Sequence, residues 1–318
     1  MLKQKANMIF SRRSFIASLT GAAVMPKSLF SSITPTFDES SAIFLADTHI
    51  SGEGGKKMVN FLRSTIAEIL RIQPLPRHVF LLGDVAYNVG KESDYKKAFS
   101  ELKLLSDAGI KLTIGMGNHD HRKPFLEYWP EYKTRSLVEG EILTATSLPH
   151  YDIIMLDSLN ETGETGKLNV DTGAISKKSQ EWILENLPKW PRPFFIAAHH
   201  PIAQTSFSSV MGGLKTELHK FPFCKGFING HTHTWLANYL SLENKKNMPS
   251  LSLPSTGYWG DIGYATIKTQ EWHGRKAAVA TLFQKDFLLL NQHPGGSHSI
   301  FRNLRIKGNN GSKCPFVI

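Results

Sequence analysis

Five short motifs in this chain carry side chains able to hold cations: Asp47-Thr48-His49, Gly83-Asp84, Gly117-Asn118-His119-Asp120, His199-His200-Pro201 and Gly230-His231-Thr232-His233. Taken singly, the first two are also ordinary turn residues. Asn118 to Asp120 would serve equally as a polar loop with a helix cap. Together they offer carboxylates, one amide oxygen and several imidazoles, with no thiolate. That donor mixture suits Mn, Fe, Zn or Co and not a cysteine-held zinc. Asp47, His49, Asp84, Asn118, His199, His231 and His233 exceed what one tetrahedral ion needs, so two ions are predicted.

At least four of the motifs sit where an apolar, β-branched run stops. Ala42–Ala46, His78–Leu82, Leu112–Met116, Asp152–Leu156, Phe194–Ala198 and Gly226–Asn229 read as buried strands. Between them, Lys56–Ile72 places Met58, Phe61, Leu62, Ile66, Ile69 and Leu70 on one helical face. Asp94–Leu105 and Ser176–Leu187 behave similarly, with Ser176 as a cap and Pro188 as a stop. Alternating helices and buried strands predict parallel βαβ units. After His233, Leu251–Leu253, Tyr264–Ile267, Ala277–Thr281 and Phe287–Leu290 suggest a partly antiparallel sheet. Gly230–His233 is expected to be extended, with two imidazoles on one edge. The non-periodic stretches His121–His150, Asp157–Gly173 and Ile202–Phe223 follow motifs or strand ends and are expected to line the pocket.

The chain has 318 residues, 41% hydrophobic and 20% charged, enough for a substantial core. Its formal charge of +10 includes Lys3, Lys5, Arg12, Arg13 and Lys27 of a leader without acidic residues; without them about +5 remains. That is compatible with anionic substrates and too weak to imply a stable nucleic acid partner. Cys224 and Cys314 make no framework; they read as free thiols, with pairing in an oxidising compartment as the alternative. Ser11-Arg12-Arg13-Ser14-Phe15-Ile16 ahead of the apolar Ala17–Met25 resembles a twin-arginine export signal. The expected organisation is a leader over 1–36, one domain over 42–295, and a tail over 296–318 whose Arg302–Ile318 reads as a loose end. Handling by the twin-arginine export machinery and a periplasmic location follow, with anchoring if the leader stays uncleaved.

In this order, the motifs resemble the calcineurin-like metallophosphoesterase superfamily over about residues 42–236, with family-like strands continuing to about 290. The resemblance implies an α/β fold: a four-layer αββα sandwich of two mixed β-sheets flanked by helices. It implies that Asp47, His49, Asp84 and His233 hold one divalent or mixed-valence ion. Asp84, Asn118, His199 and His231 would hold the second, with Asp84 bridging. Two such ions acidify a bridging water and clamp phosphoryl oxygens, so a hydroxide attacks phosphorus in line. By the same resemblance His119 is not a ligand but protonates the leaving group, with Asp120 fixing its tautomer and favouring the imidazolium. His200 becomes a supporting residue. Arg122 either contacts phosphate or is simply solvated.

His49, Asn118-His119-Asp120 followed by Arg122, and His199-His200-Pro201 look most like class III cyclic-nucleotide phosphodiesterases. Tyr87, completing Gly83-Asp84-x-x-Tyr87, instead resembles purple acid phosphatases, where the tyrosine binds ferric iron and a small residue replaces His49. With both present, His49 is read as the ligand and Tyr87 as a pocket wall. The loop cations Arg122, Lys123, Lys133, Arg135, Lys215, His219 and Lys220 are too few to demand a dianion. A phosphodiesterase acting on a small-molecule phosphate ester is therefore expected, with a phosphomonoesterase as the alternative. A catalytically inactive scaffold and a nuclease are the remaining classes; retained ligands argue against the first, and modest charge against the second.

Overall fold

The apolar run Ala42–Leu45 is buried on both faces of its strand, as a parallel strand between two covered layers requires. In the computed structural model this run belongs to β1 (Phe37–Leu45), which pairs in parallel with β2 (Leu75–Leu82). The structure describes residues 35–163, 166–207, 213–243, 246–272, 274–284 and 313–317. The leader with Arg12-Arg13, the strand expected at Phe287–Leu290, and residues 296–312 and 318 of the tail lie outside the described residues.

Two six-stranded sheets build the domain. The first continues from β2 to β3 (Lys111–Gly115), again in parallel. On its other side β1 meets β12 (Gly263–Trp272) antiparallel, followed by β13 (Arg275–Gln284) and β14 (Lys313–Val317). The second sheet has parallel β5 (Asp152–Met155), β7 (Phe194–Ala198), β9 (Cys224–Asn229) and β11 (Asn247–Ser252). Antiparallel β4 (Thr144–Ser147) and β10 (Leu236–Ser241) close its edges. A small parallel pair, β6 (Gly173–Ile175) and β8 (Thr205–Phe207), stands apart.

Three apolar layers follow from the alternation of strand side chains. Ala42, Phe44, Phe80 and Leu82 face Ile153, Met155, Phe195 and Ile228 between the sheets. The intervening Ile43, Leu45, Val79 and Leu81 point the other way, onto α1 (Lys56–Ile69) and α2 (Glu92–Asp107). Helix α1 buries Val59, Leu62, Ile66 and Ile69, one face at helical spacing. Beyond the second sheet, Ile154, Phe194 and Ile196 pack with Ile183 of α5 (Lys177–Asn186), whose Ser176 cap accepts the Ser179 amide. The order is helix, sheet, sheet, helix, so the architecture is the expected four-layer sandwich of mixed sheets.

Three local readings need correction, and one strand, β10, is not among the expected ones. The tail is not wholly loose, because Lys313–Val317 adds to β13 as the edge strand. The stretch after His121 holds two short helices, α3 (Arg122–Tyr128) and α4 (Tyr132–Arg135). They are too short to show a period and are held by Phe125, Trp129 and Tyr132 in the first sheet's outer layer. Strand β10 has apolar residues but no buried face, because as an edge it is exposed, with Leu236 and Tyr239 among its outward residues. Gly230–His233 is not extended; His231 and His233 have φ of 67° and 51°.

Candidate metal centre

All five motifs arrive at the carboxyl ends of parallel strands, β1, β2, β3, β7 and β9, where an open α/β sheet places its ligand crevice. The loops after β1 and β2 run side by side, with the Asp47 amide donating to Gly83 O and the His49 amide to Asp84 O. The backbone there is strained. Among the described residues, six non-glycine residues have positive φ: Asp47, His49, Asp84, Asn88, His231 and His233. Five of these are candidate ligands and the sixth, as shown below, holds His119. Each left-handed conformation costs about 1–3 kcal/mol and persists where the surroundings enforce it, which is why such residues gather at functional sites. Gly117 allows the third loop in, since a Cβ there would lie 2.2 Å from Asp84 Oδ1.

Asp84 sits at the middle. Its Oδ1 accepts the His119 amide at 2.9 Å. Its Oδ2 lies 3.5 Å from His49 Nε2 and 3.3 Å from His199 Nε2. On one side, His49 Nε2 is 3.2 Å from His233 Nε2, which is 3.1 Å from Asp47 Oδ1. On the other, Asn118 Oδ1 is 3.1 Å from His199 Nε2 and 3.0 Å from His231 Nδ1. Thus His231 and His233, neighbours but one in sequence, turn to opposite halves of the site. The left-handed backbone at both positions makes that divergence.

The surroundings fix these donors. His199 Nδ1 faces Leu82 O at 2.8 Å and donates to it, leaving Nε2 for the cluster. Both Asp47 oxygens accept the His231 amide. Burial raises the pKa of Asp47 and Asp84, but the imidazoles of His233 and His199 outweigh it and hold both carboxylates ionised. Burial takes His49 down to about 3 and His231 to about 4, so both are neutral with lone pairs to donate. His199 is lowered by burial, yet Asp84 and Asp47 raise it to about 9. Two buried, ionised carboxylates beside the neutral imidazoles of His49 and His231 make a site that cations would neutralise. Asp47, His49, Asp84 and His233 are all buried and bring their donor atoms within 4.8 Å of one another, as do His199, His200 and His231. An oxygen and nitrogen set of this kind fits a divalent transition ion at each half.

Three expected roles change. Asp120 does not orient His119. It accepts the Val85, Ala86 and Gly117 amides and the Tyr95 hydroxyl, tying the second and third loops together. The carbonyl of Asn88, 2.6 Å from His119 Nδ1, does that work instead. The His119 ring lies 5.0 Å from that of His49, beside the cluster. Arg122 is neither solvated nor free for phosphate, because Asp157, Glu161 and Glu141 engage its guanidinium. His200 is closer to the donors than a merely supporting residue: its ring is 4.9 Å from His231. Ser158 Oγ holds its Nδ1, and its buried Nε2 has no partner among the described residues.

Other residues of the site carried no motif. Asn88 has its left-handed φ and its carbonyl as its whole role. Asp171 accepts from Asn118 Nδ2 at 3.4 Å, and Asn169 donates to the carbonyls of Asn118 and Asp120. Both belong to the non-periodic stretch expected to line the pocket. Tyr258 packs on His49 at 4.4 Å between ring centres and shares a hydrogen bond with Tyr87. The described side-chain contacts of Tyr87 are to Tyr258.

A probable cyclic nucleotide phosphodiesterase of Rhodopseudomonas palustris is 28% identical over 165 residues. That match spans 50% of this chain and 56% of the relative, so the chain covers little more than half its length. A solved protein of Thermus thermophilus aligns at a TM-score of 0.44 with 13% identity, covering 71% of this chain and 93% of that one. Haemophilus influenzae NAD nucleotidase aligns at 0.44 with 11% identity, covering 76% and 54%. The model of the calcineurin-like phosphoesterase family matches residues 41–235, the span that carries all five motifs. The chain belongs to the calcineurin-like phosphoesterase family, a family of phosphoester hydrolases.

Proposed function

We propose that this protein hydrolyses small phosphodiesters with two metal ions held on either side of Asp84. The observation that carries the reading is the shared Asp84 Oδ2, 3.5 Å from one imidazole nitrogen and 3.3 Å from another in the opposite cluster. A carboxylate brings a negative charge and lone pairs for two cations at once, whereas an amide oxygen is neutral and an imidazole has a single acceptor nitrogen. Asp47, His49 and His233 would complete one site; Asn118, His199 and His231 the other. When bound, the ions neutralise the phosphoryl oxygens and make water nucleophilic near neutral pH.

His119 supplies the proton for the leaving oxygen. With Nδ1–H donated to Asn88 O, its Nε2 carries no partner among the described residues, and the second proton of the imidazolium, on Nε2, is the one the leaving oxygen would take. The diester preference rests on the missing cations. Arg122 is spent on three carboxylates, and Arg135 binds Leu112 O and lies over the Tyr132 ring. A monoester carries about two negative charges near neutral pH, and neither arginine is left to balance the second. The phosphodiesterase relative supports the same choice. Specificity constants on bis- and mono-p-nitrophenyl phosphate, with metal saturating, test it. The diester should be favoured; a strong monoester preference would overturn the reading. Export through the leader remains part of the proposal on sequence grounds alone.

A further inference from the structure

Trp259 is 48% exposed, a large apolar ring left to water in a loop that is otherwise closely tied down. Ser255 Oγ donates to Asp47 O and accepts the Gly257 and Tyr258 amides. The Thr256 amide donates to Ala46 O, and the Asp261 amide to His233 O. Asp261 in turn accepts the Trp235 amide at 2.9 Å. Gly260, at φ 82°, lets the loop press against the ligand loop, where any Cβ would lie 2.3 Å from His233 O. The loop from Ser255 to Asp261 is thus fastened to both the β1 and β9 ligand loops, and Trp259 is held in place without being buried.

The Trp259 ring centre lies 4.5 Å from that of His233, whose Nε2 is 3.1 Å from Asp47 Oδ1. Tyr258, its neighbour, covers His49 and meets Tyr87 edge to face at 5.6 Å. A tryptophan serving only to shield His233 would bury its ring, as Tyr258 partly does. The indole N–H has no partner among the described residues. A fixed ring with free surface, immediately beside the donors that would hold a phosphoryl group, is placed to take whatever planar group that phosphoryl carries.

We propose that Trp259 forms a stacking subsite for an aromatic or heteroaromatic group of the ester, so the preferred substrates are aryl or nucleoside phosphoesters and not dialkyl ones. The proposal rests on the phosphoester reading above and adds the substrate class. Stacking on an aromatic side chain accepts any flat π face, so the subsite selects aromaticity and not a particular ring.

Phenylphosphonate and methylphosphonate share the phosphoryl head and differ in the ring, so their calorimetric affinities for manganese-loaded protein isolate the subsite. The wild-type protein should bind phenylphosphonate at least about tenfold more tightly. Trp259→Ala should bring the two within about twofold and leave methylphosphonate unchanged, while Trp259→Phe should keep most of the preference. Persistence of the preference in Trp259→Ala, or equal loss of both ligands, would overturn the subsite. Binding of neither phosphonate by a wild-type protein that hydrolyses bis-p-nitrophenyl phosphate would also overturn the subsite, whereas failure to hydrolyse that diester would overturn the phosphoester reading and the subsite with it.

Discussion

Residues 118 to 122 read Asn-His-Asp-His-Arg, five polar side chains in succession, and the structure divides them between two regions with opposite fates. Asn118 and His119 lie in the pocket region, with the amide oxygen and one ring nitrogen directed at the donor cluster or left unspent. Asp120, His121 and Arg122 lie in the support region behind it. Asp120 takes three amides and a hydroxyl; His121 meets Glu161 and the Lys167 carbonyl; Arg122 meets three carboxylates. The same residue types do different work according to whether their polar atoms are already satisfied. Asp84 and Asp120 make the contrast at a single residue type: both are buried, and only Asp84 keeps an oxygen for the imidazoles.

The largest effect should come from the pocket region. His119→Ala should retain two metal equivalents and the fold, yet lose about 10²- to 10⁴-fold in rate, as for a missing general acid. The loss should shrink for leaving groups such as nitrophenolate that depart without protonation. An equal loss across leaving groups of widely different pKa would move His119 into the support region and break the comparison.

A support residue should show the reverse signature. Asp120→Ala strands three buried amides and the Tyr95 hydroxyl. Each unsatisfied group costs about 1–3 kcal/mol, and because the sites are neighbours the total should be about 3–5 kcal/mol. Urea unfolding at pH 7 reads it directly. The fraction that stays folded and metal-loaded should keep most of its turnover. A variant that is stable but inactive would return Asp120 to the catalytic role its adjacency to His119 suggested.

Sequence order explains which parts were legible. Each ligand lies in a compact motif at the end of a buried apolar run, and both signals are local. The sandwich follows from the same runs, because strands buried on both faces need covering layers. What failed was long-range. Adjacency assigns Asp120 to His119, but the turn closed by the Asp120 amide on Gly117 O sends its carboxylate back towards Val85 and Ala86. Arg122 looks free in the sequence because Asp157 and Glu161 are 35 and 39 residues away. Tyr258 and Trp259 carry no motif, and only the loop's ties to Asp47 and His233 bring them to the site. The left-handed backbone at five ligand positions is equally hidden, since none of the five is glycine.

The proposal that Asp84 would be shared by two ions is tested most directly by metal content after equilibration with manganese and gel filtration. The wild-type protein should hold two equivalents. Asp84→Ala should hold essentially none firmly and lose turnover, whereas His49→Ala should empty mainly the half completed by Asp47 and His233. Two full equivalents retained by folded Asp84→Ala would contradict the shared site.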